Sequence, residues 1–244
     1  MILLDCGNSS LKGQYRRSDR VAGSFASSYR GDWPRRLTHW MQTTDASRCC
    51  QSSVLDAKRQ AQLDHCLAQQ FGAAVTRFVS EARSAGVTNG YEQPERLGVD
   101  RWLALIGAAE WSEGDCIVID AGSAITLDLL RGDGQHLGGA ILPGINTSPQ
   151  RFREIFSHID FDDPRIGHND EPGSSTEAAI QIDYHDRSID RLRDLVTSWI
   201  QGLDQNASLL LTGGDAFRVQ SELELPGRIV PDLVFLGMRK LAEQ

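Results

Sequence analysis

The chain has 244 residues, 40% of them hydrophobic and 24% charged, the composition of a globular protein long enough for two small domains or one large one. With 33 Asp and Glu against 25 Lys and Arg, its formal charge is -8, which argues against nucleic acid or an anionic membrane as the main partner. A phosphate ligand stays open, because turns and helix N-termini bind phosphate without net basicity.

The N-terminus, Met1-Ile2-Leu3-Leu4-Asp5, has no basic region and no long apolar core, so it does not read as a signal peptide. Ile2-Leu3-Leu4 reads as a short buried strand ending in the turn Asp5-Cys6-Gly7-Asn8-Ser9-Ser10, with Leu11 to Tyr15 as the return strand. Helical spacing of Trp33, Leu37, Trp40 and Met41 predicts a helix over 32–43. Ser52-Ser53-Val54 suggests a short strand, 56–70 a surface helix, and Val75 to Ser80 another strand. Residues 84–97 read as a loop. Gly98-Val99-Asp100-Arg101 then opens an apolar helix running from Trp102 to Trp111.

The pattern restarts at Cys116-Ile117-Val118-Ile119, a β-branched run that meets Asp120-Ala121-Gly122-Ser123. Ile125 to Leu130 is the return strand, Gly132-Asp133-Gly134 a turn, and His136 to Leu142 a third strand ending at Pro143-Gly144. Helices are expected over 147–157, 176–184, 186–201 and 232–243, with a polar loop over 160–175. A strand over Ser208 to Leu211 runs into Thr212-Gly213-Gly214-Asp215, which opens a further helix. No run approaches the ~18 apolar residues of a membrane span. The five cysteines form no CxxC, Cys49 and Cys50 read as reduced thiols, and no Cys/His cluster suggests zinc. A cytoplasmic protein is expected.

Strand, Asp, small residue, Gly and hydroxyl-rich turn occur twice, with Asp5 and Asp120 standing 115 positions apart. That spacing is about half the chain and suggests a duplicated α/β unit, with halves 1–112 and 113–244. In the first turn, the N–H groups of Gly7, Asn8 and Ser9 can form an anion nest. Lys12 can reach a β- or γ-phosphate, and Asp5 can hold magnesium directly or through water. The plainer reading of the same residues is a hairpin turn whose Asp and Gly serve its geometry. Thr212-Gly213-Gly214-Asp215 can let a base or ribose approach the backbone, or be a simple strand-to-helix loop. Asp100 at a helix start is either a cap for backbone N–H groups or a general base orienting an attacking hydroxyl. Arg101 beside it suits a carboxylate or a substrate oxygen. No GxxxxGK[ST] and no well-placed GxGxxG is present.

Asp5-Cys6-Gly7-Asn8-Ser9-Ser10-Leu11-Lys12, Gly98-Val99-Asp100-Arg101, Asp120-Ala121-Gly122-Ser123-Ala124-Ile125-Thr126, Gly138-Gly139-Ala140-Ile141-Leu142-Pro143-Gly144 and Thr212-Gly213-Gly214-Asp215 occur in the order seen in type III pantothenate kinases. Any one of these motifs is weak, but five in order over nearly the whole chain are specific. The resemblance implies the acetate kinase/sugar kinase/Hsp70/actin fold, an α/β architecture of two ribonuclease-H-like halves with a cleft between them. It implies transfer of the ATP γ-phosphate to pantothenate, the first step of coenzyme A synthesis, with magnesium, a monovalent cation (potassium or ammonium) and a homodimer. It makes the turn from Asp5 through Lys12 similar to the family's ATP phosphate loop, Asp100 to its catalytic base, and Gly98 to Arg101 to a pantothenate contact. Asp120 matches the monovalent-cation ligand and Ser123 an ATP contact. Gly213 and Gly214 fall to the nucleotide, and Tyr91 and Thr176 to pantothenate. Ser9 and Ser123 stand where Thr is common and keep the hydroxyl. Asp183 stands where the family often has Gly. A kinase for another small alcohol, or a nucleotide-binding regulator without catalysis, remain the alternatives.

Overall fold

The structure is a computed structural model, and it describes residues 1–163, 166–167, 170–181, 188–203 and 207–244. Asp183 lies outside the described residues, as do 182–184 of the helix expected over 176–184 and 186–187 of the helix expected over 186–201. The chain divides into two compact units, Met1–Val79 with Met238–Gln244, and Ser80–Gly237. The expected halves divide it at the sequence repeat instead, so the helix of Val99–Trp111 falls within the second compact unit.

The first unit is built on five strands: β1 (Ile2–Cys6), β2 (Ser10–Arg17), β3 (Arg20–Ser28), β4 (Cys49–Ser53) and β5 (Val75–Arg77). Their order is β3-β2-β1-β4-β5. β1–β2 and β2–β3 are antiparallel hairpins, whereas β1–β4 and β4–β5 are parallel and need crossovers. Helices α1 (Trp33–Gln42) and α2 (Ala57–Phe71) supply those crossovers. Each starts at an aspartate cap, with Asp32 accepting from the Arg35 amide and Asp56 from the Arg59 amide. Ile2, Leu4, Leu11, Leu37, Met41, Leu63 and Leu67 form its core, all essentially inaccessible. β3 escapes sequence reading because it is an edge strand with no fully buried residue. Its Gly- and Ser-rich stretch carries little apolar signal.

The second unit holds the sheet of β8 (Cys116–Ala121), β9 (Ala124–Leu130), β10 (His136–Pro143), β11 (Ser208–Thr212) and β12 (Arg228–Ile229), in the order β10-β9-β8-β11-β12. The pairings repeat those of the first sheet strand for strand: two antiparallel hairpins, then two parallel neighbours. A two-stranded ribbon of β6 (Arg83–Ser84) and β7 (Val87–Thr88), a 3-10 turn at Pro94–Arg96 and helix α3 (Val99–Trp111) precede this sheet. Helices α4 (Pro149–Ile155), α5 (Thr176–Ala179) and α6 (Ser188–Gln201) lie between β10 and β11 in sequence, with α7 (Ala216–Leu223) between β11 and β12, and α8 (Leu233–Ala242) after them. Ile117, Ile119, Leu127, Leu195, Val196, Leu211 and Val219 centre its core. A strand order repeated with its directions is the duplicated ribonuclease-H-like architecture expected from the motifs, and it places one Asp-x-Gly turn at the same β1–β2 or β8–β9 corner of each sheet.

Two expected elements are shorter than their periodicity suggests. The helix expected over 176–184 is the single turn of α5, capped by Ser175 and left at Ile180. The strand expected over Val75 to Ser80 ends at Arg77, since only three residues pair with β4. All five cysteines are buried free thiols, Cys49 and Cys50 included. Among the described residues no helix is long and apolar enough to cross a membrane.

Candidate active site

The first Asp-x-Gly turn joins β1 to β2. Cys6 pairs with Leu11 and Asp5 with Lys12, so the acid and the base face each other across the hairpin. The side chains of Cys6 and Leu11 are sealed into the core, and only their backbone belongs to the turn. Burial, then the neighbouring Asp5 charge, push the Cys6 thiol well up, so it stays protonated. The Gly7 amide donates to the Ser10 carbonyl at 3.1 Å inside the turn. It is therefore committed within the turn, and is not available to the anion nest expected of Gly7, Asn8 and Ser9. A Cβ at Gly7 would meet nothing closer than the Ser10 oxygen at 3.5 Å, an ordinary contact. Nothing in the fold itself requires glycine there.

The second turn joins β8 to β9 and is one residue shorter, since Ala121 pairs with Ile125. The Gly122 amide donates to the Ala124 carbonyl at 3.0 Å, repeating the internal bond of the first turn. Two more loops of the second unit come to the same corner. The loop after β10 packs Gly144 against the Gly122 and Ser123 carbonyls, and Thr147 Oγ1 donates to the Ser123 oxygen at 2.7 Å. The loop after β11 brings Gly213 beside Asp120, while the Asp215 amide donates to the Ala121 oxygen at 2.9 Å. Gly213 has φ +94 and no room for a Cβ, which would press on the Ala121 oxygen and Asp120 Oδ1. Gly214 faces open space. Asp120, Ser123, Gly213 and Gly214 are thus brought together at one corner of the second sheet. Among the described residues no cluster of three His, Cys, Asp or Glu is present. The Asp120 carboxylate and the Ala121 carbonyl come together beside Gly213, and oxygen donors of this kind suit hard cations and not zinc.

Helix α3 is capped by Gly98, which has no side chain to accept from the first amides of the helix. Asp100 is therefore inside the first turn, not at the cap. Its carboxylate accepts from the Arg101 amide at 2.8 Å. Burial pushes its pKa up, and the amides and the Arg101 charge lower it only in part. The Arg101 guanidinium turns away to Asp128, giving Nε to Oδ2 at 2.8 Å and Nη2 to Oδ1 at 2.6 Å. Its Nη1 donates to the Tyr91 hydroxyl at 2.6 Å. Tyr91 also shares a side-chain hydrogen bond with Thr176, the first residue of α5. Tyr91, Arg101 and Thr176 therefore meet, with Asp128 as a partner that the resemblance did not name.

Asp128 and His136 are the residues that sequence reading passed over. His136 is fully buried, and its Nε2 lies 2.9 Å from Asp128 Oδ1. The Gly90 amide donates to its Nδ1 at 3.3 Å. An amide can only donate, so the ring proton sits on Nε2 and points at the carboxylate. Burial alone would raise Asp128, but Arg101 and His136 outweigh it and hold the carboxyl below its usual range. Burial likewise opposes the charge on Arg101, and Asp128 with Tyr91 holds the guanidinium above its ordinary value. The signal in the sequence was a lone acid within the apolar strand Ile125-Thr126-Leu127-Asp128-Leu129-Leu130, which demands a buried partner.

The family model for type III pantothenate kinases matches residues 1–186. A type III pantothenate kinase from Azotobacter vinelandii is 34% identical over 249 residues, covering 98% of this chain and 96% of its own. One from Pseudomonas aeruginosa is 36% identical, covering 98% and 97%, and one from Halorhodospira halophila is 36% identical, covering 97% and 95%. Among solved structures, a Campylobacter jejuni protein described as a Baf family transcriptional activator matches with TM-score 0.53 at 22% identity, covering 100% of this chain and 98% of its own. A Sinorhizobium meliloti protein described as a 2-dehydro-3-deoxygalactonokinase matches with TM-score 0.52 at 13% identity, covering 99% and 98%. These two likenesses speak for the fold alone. With its five motifs in order and full-length relatives above 30% identity, this chain belongs to the type III pantothenate kinase family.

Proposed function

We propose that this protein transfers the γ-phosphoryl group of ATP to the primary hydroxyl of pantothenate, giving 4'-phosphopantothenate in the first step of coenzyme A synthesis. The observation that carries this reading is its relatedness, along 98% of its length, to proteins named for that activity. The geometry of each unit is consistent with it. Gly7 and Gly214 have space for a Cβ and no left-handed backbone, so their lack of a side chain is best explained by a ligand that comes close to the backbone.

In this reading the turn from Asp5 through Lys12 binds the phosphates, with Gly213 and Gly214 against the nucleoside. Ser123 contacts ATP beside the second turn. Asp5 would hold magnesium, directly or through water, and Asp120 a monovalent cation such as potassium; such ions offset charge on the transferring phosphoryl group. Asp100 accepts the proton of the pantothenate hydroxyl as its oxygen bonds to the γ-phosphorus and the bond to the ADP oxygen breaks. A carboxylate raised by burial and held only by amides suits that task better than one tied to a cation. Tyr91, Thr176 and the segment Gly98–Arg101 line the pantothenate side, with Arg101 fixed by Asp128 and offering its remaining N–H groups. The active form is a homodimer, and the two copies of the repeat are 1–112 and 113–244.

ADP release and a phosphopantothenate mass peak on mixing the protein with ATP, magnesium, potassium and pantothenate test the proposal. No turnover with pantothenate under potassium or ammonium, with turnover on another small alcohol or with ATP binding alone, would overturn it.

A further inference from the structure

The second unit holds a closed circuit of hydrogen bonds. The Gly90 amide donates to His136 Nδ1 at 3.3 Å, and His136 Nε2 donates to Asp128 Oδ1 at 2.9 Å. Asp128 holds Arg101, whose Nη1 donates to the Tyr91 hydroxyl at 2.6 Å. Tyr91 is the residue after Gly90, so the circuit returns to its start. The Tyr91 ring also lies nearly parallel to the His136 ring, with centres 6.2 Å apart. Tyr91 and Arg101 are the members read as facing pantothenate. His136 is fully buried and touches no ligand itself.

A carboxylate can turn about its last bond, because that torsion is soft in aspartate, and a paired guanidinium would turn with it. His136 removes this freedom. Asp128 Oδ1 takes both the His136 ring and Arg101 Nη2, while Oδ2 takes Arg101 Nε. The ring serves in this way because Nδ1 accepts from Gly90, which leaves the proton on Nε2 for Asp128. The backbone enforces the pairing. Gly90 has no left-handed φ, yet a Cβ there would strike the His136 carbonyl. Glycine is what lets this loop close down on β10. We infer that His136 is a positioning residue for pantothenate: through Asp128 it fixes the plane of the Arg101 guanidinium, and through the Gly90 amide it fixes the place of Tyr91.

This role rests on the reading that Tyr91 and Arg101 face pantothenate. Loss of the His136 bonds should leave the loop folded, because Asn89 pins it separately. Asn89 Nδ2 donates to the Glu81 and Pro94 carbonyls at 3.2 and 3.1 Å, and its Oδ1 accepts from the Tyr91 amide at 3.0 Å. The ion pair of Arg101 and Asp128 also remains. What changes is the direction in which Arg101 and Tyr91 point, so pantothenate should feel the loss and ATP should not.

Two amide side chains separate the ring nitrogens. His136→Gln keeps a donor near the place of Nε2, for Asp128. His136→Asn keeps an acceptor near the place of Nδ1, for the Gly90 amide, and loses that donor. Steady-state kinetics on both, with Tyr91→Phe and Arg101→Lys as references, is the test. His136→Asn is expected to raise KM for pantothenate about tenfold, the factor carried by one hydrogen bond to a charged group. KM for ATP should hold, and His136→Gln should recover most of the loss. If the references weaken pantothenate and His136→Asn does not, His136 has no such role and the reading of the site stands. If neither reference changes KM for pantothenate, that reading fails and the role of His136 with it. Equal losses for both substrates, or equal losses in the Asn and Gln variants, would mark His136 as merely structural and overturn the role. The parent chain supplies a check that needs no variant. The His136 Nε2 proton, sealed and slow to exchange, should shift in NMR spectra when pantothenate is added and stay in place when ATP is added. A proton unmoved by pantothenate would also overturn the role.

Discussion

Arg101 and Asp128 form a two-pronged ion pair with both side chains sealed from solvent, at 2.8 and 2.6 Å. Each charge is tolerated inside the protein only because the other is there. Replacing Asp128 with Ala is expected to lower stability by about 3–5 kcal/mol, because the guanidinium is left buried and unpaired. Asp128→Asn keeps the shape and should fall short of that loss. Chemical denaturation of both variants and of the Arg101→Met/Asp128→Leu double replacement checks it; the double change should recover much of the loss. The pair also sets a pH limit. Asp128 is depressed below its unfolded value, so its contribution is full above the ordinary carboxylate range and vanishes as pH falls through the lower folded value. Acid unfolding of Asp128→Ala should therefore be shallower than that of the parent chain.

Asp100 carries the opposite sign. Its folded pKa is raised, so the folded state holds its proton more tightly than the unfolded chain. The penalty for ionising it in place grows as pH rises from the unfolded value to the folded one and is constant above. Asp100→Asn should abolish most turnover, by about a hundredfold or more, yet melt no lower than the parent at neutral pH. Any advantage in melting temperature should shrink as pH falls towards 4, near the ordinary carboxylate value. The acid limb of kcat/KM should lie above that ordinary value. A fully active Asp100→Asn chain would reduce Asp100 to a helix-start residue.

Two glycines in neighbouring positions should respond differently to alanine. Gly213→Ala forces a side chain onto φ +94 and against the Ala121 oxygen, and should lose more than about 1 kcal/mol of stability. Gly214→Ala meets no protein atom within 4 Å and should hold its melting temperature while raising KM for ATP. Thermal melts beside ATP titrations separate the two.

Exchange of potassium for sodium at constant ionic strength should slow turnover several-fold if Asp120 holds a selective cation. Asp120→Asn should remove that difference between salts. Rates measured in both salts for both chains decide it; an unchanged preference in the variant would place the cation elsewhere.

The repeated strand-turn-strand pattern was legible because buried strands such as Ile2-Leu3-Leu4 and Ile117-Val118-Ile119 are apolar runs cut off by Asp and Gly. So were the helix that begins beside Asp100 and the order of the loops. β3 was not, since its polar edge residues face solvent and pair through backbone alone. Asp128 and His136 were hidden for another reason. Their partners, Arg101 and Gly90, lie 27 and 46 positions away, and a pairing of that kind leaves no periodic trace.

Helices α3 and α8 each follow the fifth strand of their own copy of the sheet order, and they meet at Gly107 and Gly237. A Cβ on Gly107 would strike the Leu233 carbonyl, four residues before Gly237, and a Cβ on Gly237 would strike the Leu103 carbonyl, four residues before Gly107. The contact has the self-complementary arithmetic of two identical helices crossing about a two-fold axis. A side chain at either glycine would press on the backbone of the other helix, so the pair keeps the two helices in close contact. The two ends of the second unit's sequence are locked in register by a symmetry that neither end encodes alone.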